Sequence, residues 1–229
     1  MTNITALKIP ESIDSERYER LKSMVSTEKR EKINRFYRIR DSYRSLLGEL
    51  LVRAAVCTYT GKNNEDICFI TNSYGKPALK ETPGFSFNLS HSGNWVTVIW
   101  SEQQLALGVD VEKIKPMEMD IAERFFSKTE VRDLKSRQGT EQLEYFIRLW
   151  TLKESYIKAQ GMGLSIPLDS FSLSCRTDGV WFSPEASQFH FKSFRVDAEH
   201  FLSACSDADD LPDDIRYSSF EDLCKYFGC

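Results

Sequence analysis

The chain has 229 residues, 41% of them apolar and 12% aromatic, enough for one large domain or two compact halves of roughly 100 residues each. Charged residues make up 28% and sum to −4, which excludes a disordered or fibrous chain and argues against nucleic acid as the main partner. The six cysteines form no CxxC pair, and no apolar stretch has signal-peptide or membrane-spanning length, so the expectation is a reduced, cytoplasmic protein away from membranes.

Two short helices are expected at 15–25 and 28–38, with Ser26 and Thr27 offering an N-cap to the second. A longer helix follows at 41–60, carrying the stripe Leu46, Leu47, Leu50, Leu51, Ala54 and Ala55 and stopped by Gly61. Residues 29–53 hold eight lysines and arginines against Glu31, Asp41 and Glu49, a local basic run suited to a small polyanion or simply to a solvated helix face. The period then changes. Strands are expected at 67–71, 85–89, 95–101 and 105–111, with Tyr74-Gly75-Lys76-Pro77 as a turn and Ser92-Gly93-Asn94 as a hairpin connection. Helical spacing returns at 120–126, 129–137 and 141–160, the last stopped by Gly161-Met162-Gly163. Strands at 171–175, 180–182, 189–196 and 201–206 and a short helix at 219–227 complete the chain.

Each part therefore holds one long helix followed by an antiparallel set of strands. Phe85-Ser86-Phe87-Asn88-Leu89-Ser90 is faintly echoed by Ser170-Phe171-Ser172-Leu173-Ser174. The expected fold is α+β, with two pseudo-symmetric α/β halves at 1–105 and 106–229 and a ligand crevice between them.

Four segments could carry chemistry. In Gly108-Val109-Asp110-Val111-Glu112, strand alternation sends Asp110 and Glu112 to one face and the valines to the other. Two like charges side by side favour a hard cation between them, unless they are two solvated acids at a strand end. Trp150, Glu154 and Lys158 share one helix face; Glu154 is either a third oxygen ligand or half of an intrahelical ion pair. His91, between Ser90 and Ser92, fits a phosphate contact or a surface turn. Lys76 sits on a rigid turn. No Walker A, Rossmann glycine pattern, HExxH or GxSxG is present.

In this order, Tyr74–Pro77, Phe87–Ser92, Gly108–Glu112, Phe125–Glu130 and Trp150–Lys158 resemble the motifs of the Sfp-type 4′-phosphopantetheinyl transferases. The likeness is close over about residues 25 to 175. It implies two α/β halves in one chain, monomeric, with coenzyme A in the cleft and magnesium held by Asp110, Glu112 and Glu154. It implies Lys29, Lys32, Arg44, Ser45, Lys76, Ser90, His91, Lys153 and Lys158 around the nucleotide. The implied reaction moves the phosphopantetheine arm to a serine of an apo peptidyl or acyl carrier protein and releases 3′,5′-ADP. Glu154 and Lys158 would serve catalysis, and Glu130 would be the direct base unless a metal-bound water takes that part. Lys113, Lys115, Met117, Met119, Phe125 and Phe126 are the expected docking surface for the carrier, or core. A non-catalytic coenzyme A sensor and a nucleotide phosphohydrolase are the rival readings.

Overall fold

The computed structural model describes residues 1–116 and 118–229, the side chain of Leu164 excepted. The first half opens with a strand at Thr2–Lys8 (β1), then helices Ser15–Ser23 (α1), Thr27–Asn34 (α2) and Ile39–Thr60 (α3). A small hairpin follows, Phe69–Thr71 (β2) with Pro77–Leu79 (β3), and then Ser86–Ser92 (β4) and Trp95–Ser101 (β5). The second half has Leu107–Lys113 (β6), Met119–Phe125 (α4), Lys128–Lys135 (α5) and Gly139–Gln160 (α6). Strands Ser174–Cys175 (β7), Trp181–Phe182 (β8), His190–Asp197 (β9), His200–Ser206 (β10) and Arg216–Ser218 (β11) precede a last helix, Phe220–Phe227 (α7).

The strands form sheets in the orders β11-β1-β5-β4 and β6-β10-β9-β8-β7. Alternation decides what each strand covers. Val96, Val98 and Trp100 of β5 pack under α3, while Trp95 and Ile99 face the other way. There they meet Leu107, Val109 and Val111 of β6 and Leu202 and Ala204 of β10, so the two sheets share one apolar seam. The opposite face of β6 lies against α6. Gly108 makes that approach possible: a Cβ there would fall 1.8 Å from the Ser155 carbonyl oxygen. The expected repeat is visible in α3 and α6, each 22 residues long and each ended by a left-handed glycine, Gly61 and Gly161.

At one edge the sheets meet through side chains. Ser86, Asn88, Ser90 and Ser92, alternate residues of β4, accept the N–H groups of Leu105, Val109, Val111 and Lys113 at 2.9, 3.0, 3.4 and 3.2 Å. Backbone donors along and just before β6, those of Val109 and Val111 buried, are thus satisfied by a polar ladder.

One strand was not foreseen, and two expectations need correction. The N-terminal segment is a strand, β1, lying inside the first sheet between β5 and β11. The second half does not run to residue 229, because β11 pairs with β1 and Leu223 and Cys224 of α7 enter the first core. The strand expected at 171–175 shrinks to Ser174–Cys175, since the Leu173 N–H and the Phe171 carbonyl bond to side chains, those of Glu130 and Lys153.

Candidate active site

α6 lays Glu154 and Lys158 against the β6 face that carries Asp110 and Glu112. The Lys158 ammonium donates to Asp110 Oδ1 at 2.7 Å and to Ser90 Oγ at 2.9 Å, and Ser90 Oγ donates to Asp110 Oδ1 at 2.8 Å. Ser92 Oγ donates to Glu112 Oε2 at 2.7 Å. Asp110 Oδ2 is buried and has no hydrogen-bond partner among the described residues. Desolvation pushes the Glu154 carboxyl above its usual range, and the charges of Asp110 and Glu112 add to it against Lys158. Desolvation also raises Glu112, with Ser92 opposing and Asp110 adding.

One carboxylate, Asp110, therefore pairs with the Lys158 ammonium, Glu112 and Glu154 lie within its electrostatic reach, and one buried oxygen of Asp110 stays unpaired. That donor set fits a hard divalent cation, which takes oxygen ligands and tolerates a mixed shell. Among the described residues no group of three such side chains already stands at coordination distance, since Asp110 Oδ1 is turned to Lys158. The arrangement fits the ion by charge and donor type.

From Glu154 and Lys158 a cleft of about 1000 Å³ opens between α2, α3, the β2–β3 hairpin and the last turns of α6. Lys29, Lys32, Ser45, Lys76 and His91, all candidates from the sequence, line it together with Phe36 and Glu49. Glu49 ties down Lys29 at 3.3 Å and Arg53 at 2.9 Å, fixing the basic wall from behind. The sequence reading passed over Phe36, Glu49 and Asn72. Asn72 builds the lysine turn: its Oδ1 accepts the N–H groups of Tyr74 and Lys76, and its Nδ2 donates to the Gly161 carbonyl. An Asn four residues before a lysine turn was the available signal. Lys76 Nζ donates to the Leu107 and Ala159 carbonyls, both at 3.0 Å, and burial lowers its pKa to about 8. The cleft walls desolvate the His91 imidazole and push its pKa down, with Arg44 and Lys158 acting the same way.

Other candidates lie elsewhere. Arg44 does not line the cleft; its Nε and one terminal nitrogen grip the Gly93 carbonyl at 3.1 and 2.7 Å. Ser90 is buried in the seam with its hydroxyl bonded to Asp110 and Lys158, and it does not line the cleft wall. Lys153 is no cleft residue either. Its side chain is 0% exposed and donates to the Leu168 and Phe171 carbonyls, and it pairs with Glu130 at 2.9 Å. Glu130, 1% exposed, accepts from Leu173 N–H, Ser127 N–H and Lys153. The structure thus places Glu130, the residue expected as direct base, inside the second half and away from the cleft wall. Of the expected docking surface, Phe126 is core, packed on Phe146 and Trp150, and Met117 lies outside the described residues.

A basic cleft that ends on a carboxylate cluster, set between two like halves, is a site built to hold and polarise a small polyanion. The model of the 4′-phosphopantetheinyl transferase superfamily matches residues 106–205, and that of the 4′-phosphopantetheinyl transferase N-terminal domain matches residues 12–104. The 4′-phosphopantetheinyl transferase Sfp of Bacillus subtilis is 42% identical over 214 residues, 92% of this chain and 95% of that protein. The L-aminoadipate-semialdehyde dehydrogenase-phosphopantetheinyl transferase of Rattus norvegicus is 30% identical over 228 residues, covering 88% of this chain and 72% of that protein. A crystal structure of a Bacillus anthracis holo-(acyl-carrier-protein) synthase in complex with CoA (3′,5′-ADP) aligns with a TM-score of 0.40 at 19% identity, over 44% of this chain and 92% of that one. The chain belongs to the 4′-phosphopantetheinyl transferase superfamily.

Proposed function

We propose that the protein transfers the 4′-phosphopantetheine arm of coenzyme A to a serine of an apo peptidyl or acyl carrier protein, releasing 3′,5′-ADP, in a magnesium-dependent reaction. The observation that carries this is the meeting of Asp110, with its unpartnered buried oxygen, Glu154 and Lys158 at the inner end of a lysine-lined cleft. Magnesium would be held by Asp110, Glu112 and Glu154 and would supply charge neutralisation at the pyrophosphate. The rest falls to the chain itself. Lys29, Lys32, Lys76 and His91 bind and orient the nucleotide phosphates, and Lys158 lies against the diphosphate to offset charge on the leaving oxygen. With Glu130 enclosed, Glu154, one turn from Lys158, is a carboxylate on the cleft wall toward which the serine proton can leave. The carrier would be an acidic helical domain of a peptide, polyketide or fatty-acid synthase, with lysine biosynthesis as the other setting.

Intact mass of an apo carrier domain, incubated with the protein, coenzyme A and magnesium, tests the proposal. One added phosphopantetheine per carrier is expected. Nucleotide release without a change in carrier mass would replace transfer by hydrolysis.

Lys76 gives this reading a pH signature. Above its pKa of about 8 the free amine is neutral. Phosphate binding favours the ammonium, so binding takes up a proton there. The KM for coenzyme A should rise above that pH by up to about tenfold per unit. Lys76→Arg should flatten the rise, because a guanidinium stays charged. A wild-type KM that holds level from pH 7.5 to 9.5 would remove Lys76 from the phosphate contacts.

A further inference from the structure

The β9–β10 turn carries an Asp–His pair in which the histidine is buried and the aspartate half-buried. His200 is 2% exposed, and its Nδ1 lies 2.8 Å from Asp197 Oδ1. Asp197 Oδ2 accepts from Trp95 Nε1 at 2.8 Å, and Oδ1 also accepts the Glu199 N–H at 2.8 Å. Burial alone would raise the Asp197 carboxyl, but the bonds from Trp95 and His200 outweigh it and lower the pKa to about 2. An ionised carboxylate only accepts, so the proton of the His200–Asp197 bond sits on Nδ1 and the ring's orientation is set. Nε2 then points away from Asp197. It is buried and has no hydrogen-bond partner among the described residues.

A step in strand register puts the ring there. His200 pairs with Asp197 but Phe201 with Arg195, which leaves Val196 as an extra residue on β9. Such a bulge re-aims side chains. His200 comes to face the first half while Phe201 enters the core under α6. What Nε2 meets is the β4–β5 turn: a Cβ on Gly93 would lie 2.3 Å from it, and Gly93 holds a left-handed φ of 55°.

That turn is gripped from its other side by residues of the first half. Arg44 forks onto the Gly93 carbonyl, Arg40 donates to Asn94 Oδ1 at 2.5 Å, and the Ile9 N–H donates to the Asn94 carbonyl at 2.7 Å. The two residues before the turn are His91, on the cleft wall, and Ser92, bonded to Glu112. The turn is therefore clamped between Arg44 and His200, one from each half, with site residues at its root.

We propose that His200, oriented by Asp197, is a positioning residue for the transfer reaction, fixing the Gly93 turn and through it the placement of His91 at the cleft and of Ser92 at Glu112. The proposal rests on the cleft being the coenzyme A site. A residue that places nucleotide-binding groups acts on ground-state binding, so its loss is read in KM before kcat.

Two substitutions separate the two ring nitrogens. His200→Asn keeps an amide near Nδ1, where Asp197 can hold it, but does not reach the turn. His200→Gln reaches the position of Nε2. His200→Asn should raise the KM for coenzyme A roughly tenfold with kcat within about twofold, and His200→Gln should recover most of that loss. Asp197→Asn, which leaves the imidazole in place but frees it to rotate, should also raise KM. Hydrogen exchange of the amides of residues 91–95 gives a readout free of the reaction and should quicken in His200→Asn but not in His200→Gln. A His200→Asn protein with wild-type KM and wild-type exchange overturns the proposal. So do Asn and Gln variants whose KM values shift alike and in step with their melting temperatures. An inactive wild type with protected 91–95 amides would instead strike at the transferase reading and leave the clamp standing.

Discussion

Glu130→Ala should destabilise the protein by about 3–5 kcal/mol, because it strands a buried ammonium. For a chain of this length that is a fall in melting temperature of about 10 °C. Glu130 stands at the third position of α5 and closes a capping box with Ser127. From there one carboxylate ties three segments together. Oε1 accepts the Leu173 N–H at 2.8 Å, and Oε2 accepts the Ser127 N–H at 2.8 Å and Lys153 at 2.9 Å. Lys153 spends its other donors on the Leu168 and Phe171 carbonyls, and its ammonium lies 4.2 Å from the centre of the Phe171 ring. Burial pushes the Lys153 pKa down, and Glu130 opposes it. Removing Glu130 leaves that charge without its counter-ion and the Leu173 N–H without its acceptor, whereas removing both ions together strands no charge. The double variant Glu130→Leu with Lys153→Met should therefore regain most of the lost stability. Transfer by the folded fraction of Glu130→Ala, assayed well below its melting temperature, should stay within severalfold of wild type. A variant that melts like wild type but has lost transfer would restore Glu130 as the base.

The contrast between Lys153 and Lys158 shows what the sequence could and could not reveal. Both flank Glu154, and both looked suited to phosphate. A helix turns about 100° per residue, so Lys158 returns to the face of Glu154 while Lys153 points a quarter-turn aside, into the core. That distinction was available from spacing alone. The same rule for strands, with period two, correctly put Asp110 and Glu112 on one face and Val109 and Val111 on the other. Asn88, Ser90 and Ser92 mark the limit. Their alternation was visible, but the N–H groups they accept belong to β6, some twenty residues away, and only the packed seam reveals that partner. β1 escaped for a related reason. Thr2–Lys8 is polar at four of its seven positions, yet it lies within a sheet, and Thr2 is satisfied by Asp210 from the far end of the chain. Local pattern reports faces well and distant partners poorly.

Glu154→Gln should lower transfer on the order of 10²- to 10³-fold, the scale of losing one charge-stabilising group at a reacting phosphate. The same change should raise the melting temperature at pH 7.5 when no divalent cation is added. The sign follows from the direction of the shift. Desolvation, then Asp110 and Glu112, raise the folded-state pKa of Glu154 above its unfolded value. A carboxyl shifted upward contributes stability that is fully present below the unfolded pKa and is lost as pH rises through the folded one. Above its folded-state pKa the wild type therefore carries an ionised, desolvated Glu154 at a cost that glutamine, neutral and of the same shape, does not bear. The gap between the two proteins should close as pH falls toward about 4, where the unfolded carboxyl takes up its proton. Magnesium should stabilise the wild type by mass action and shift the variant far less. Thermal melts with and without magnesium, run beside the mass assay, read all three effects. Equal melting of wild type and Glu154→Gln without metal would mean that Glu154 is solvated in the free protein, and an equal magnesium shift in both would take it out of the metal site. The two outcomes are independent, because the first concerns how the fold holds the charge and the second what the charge is held for.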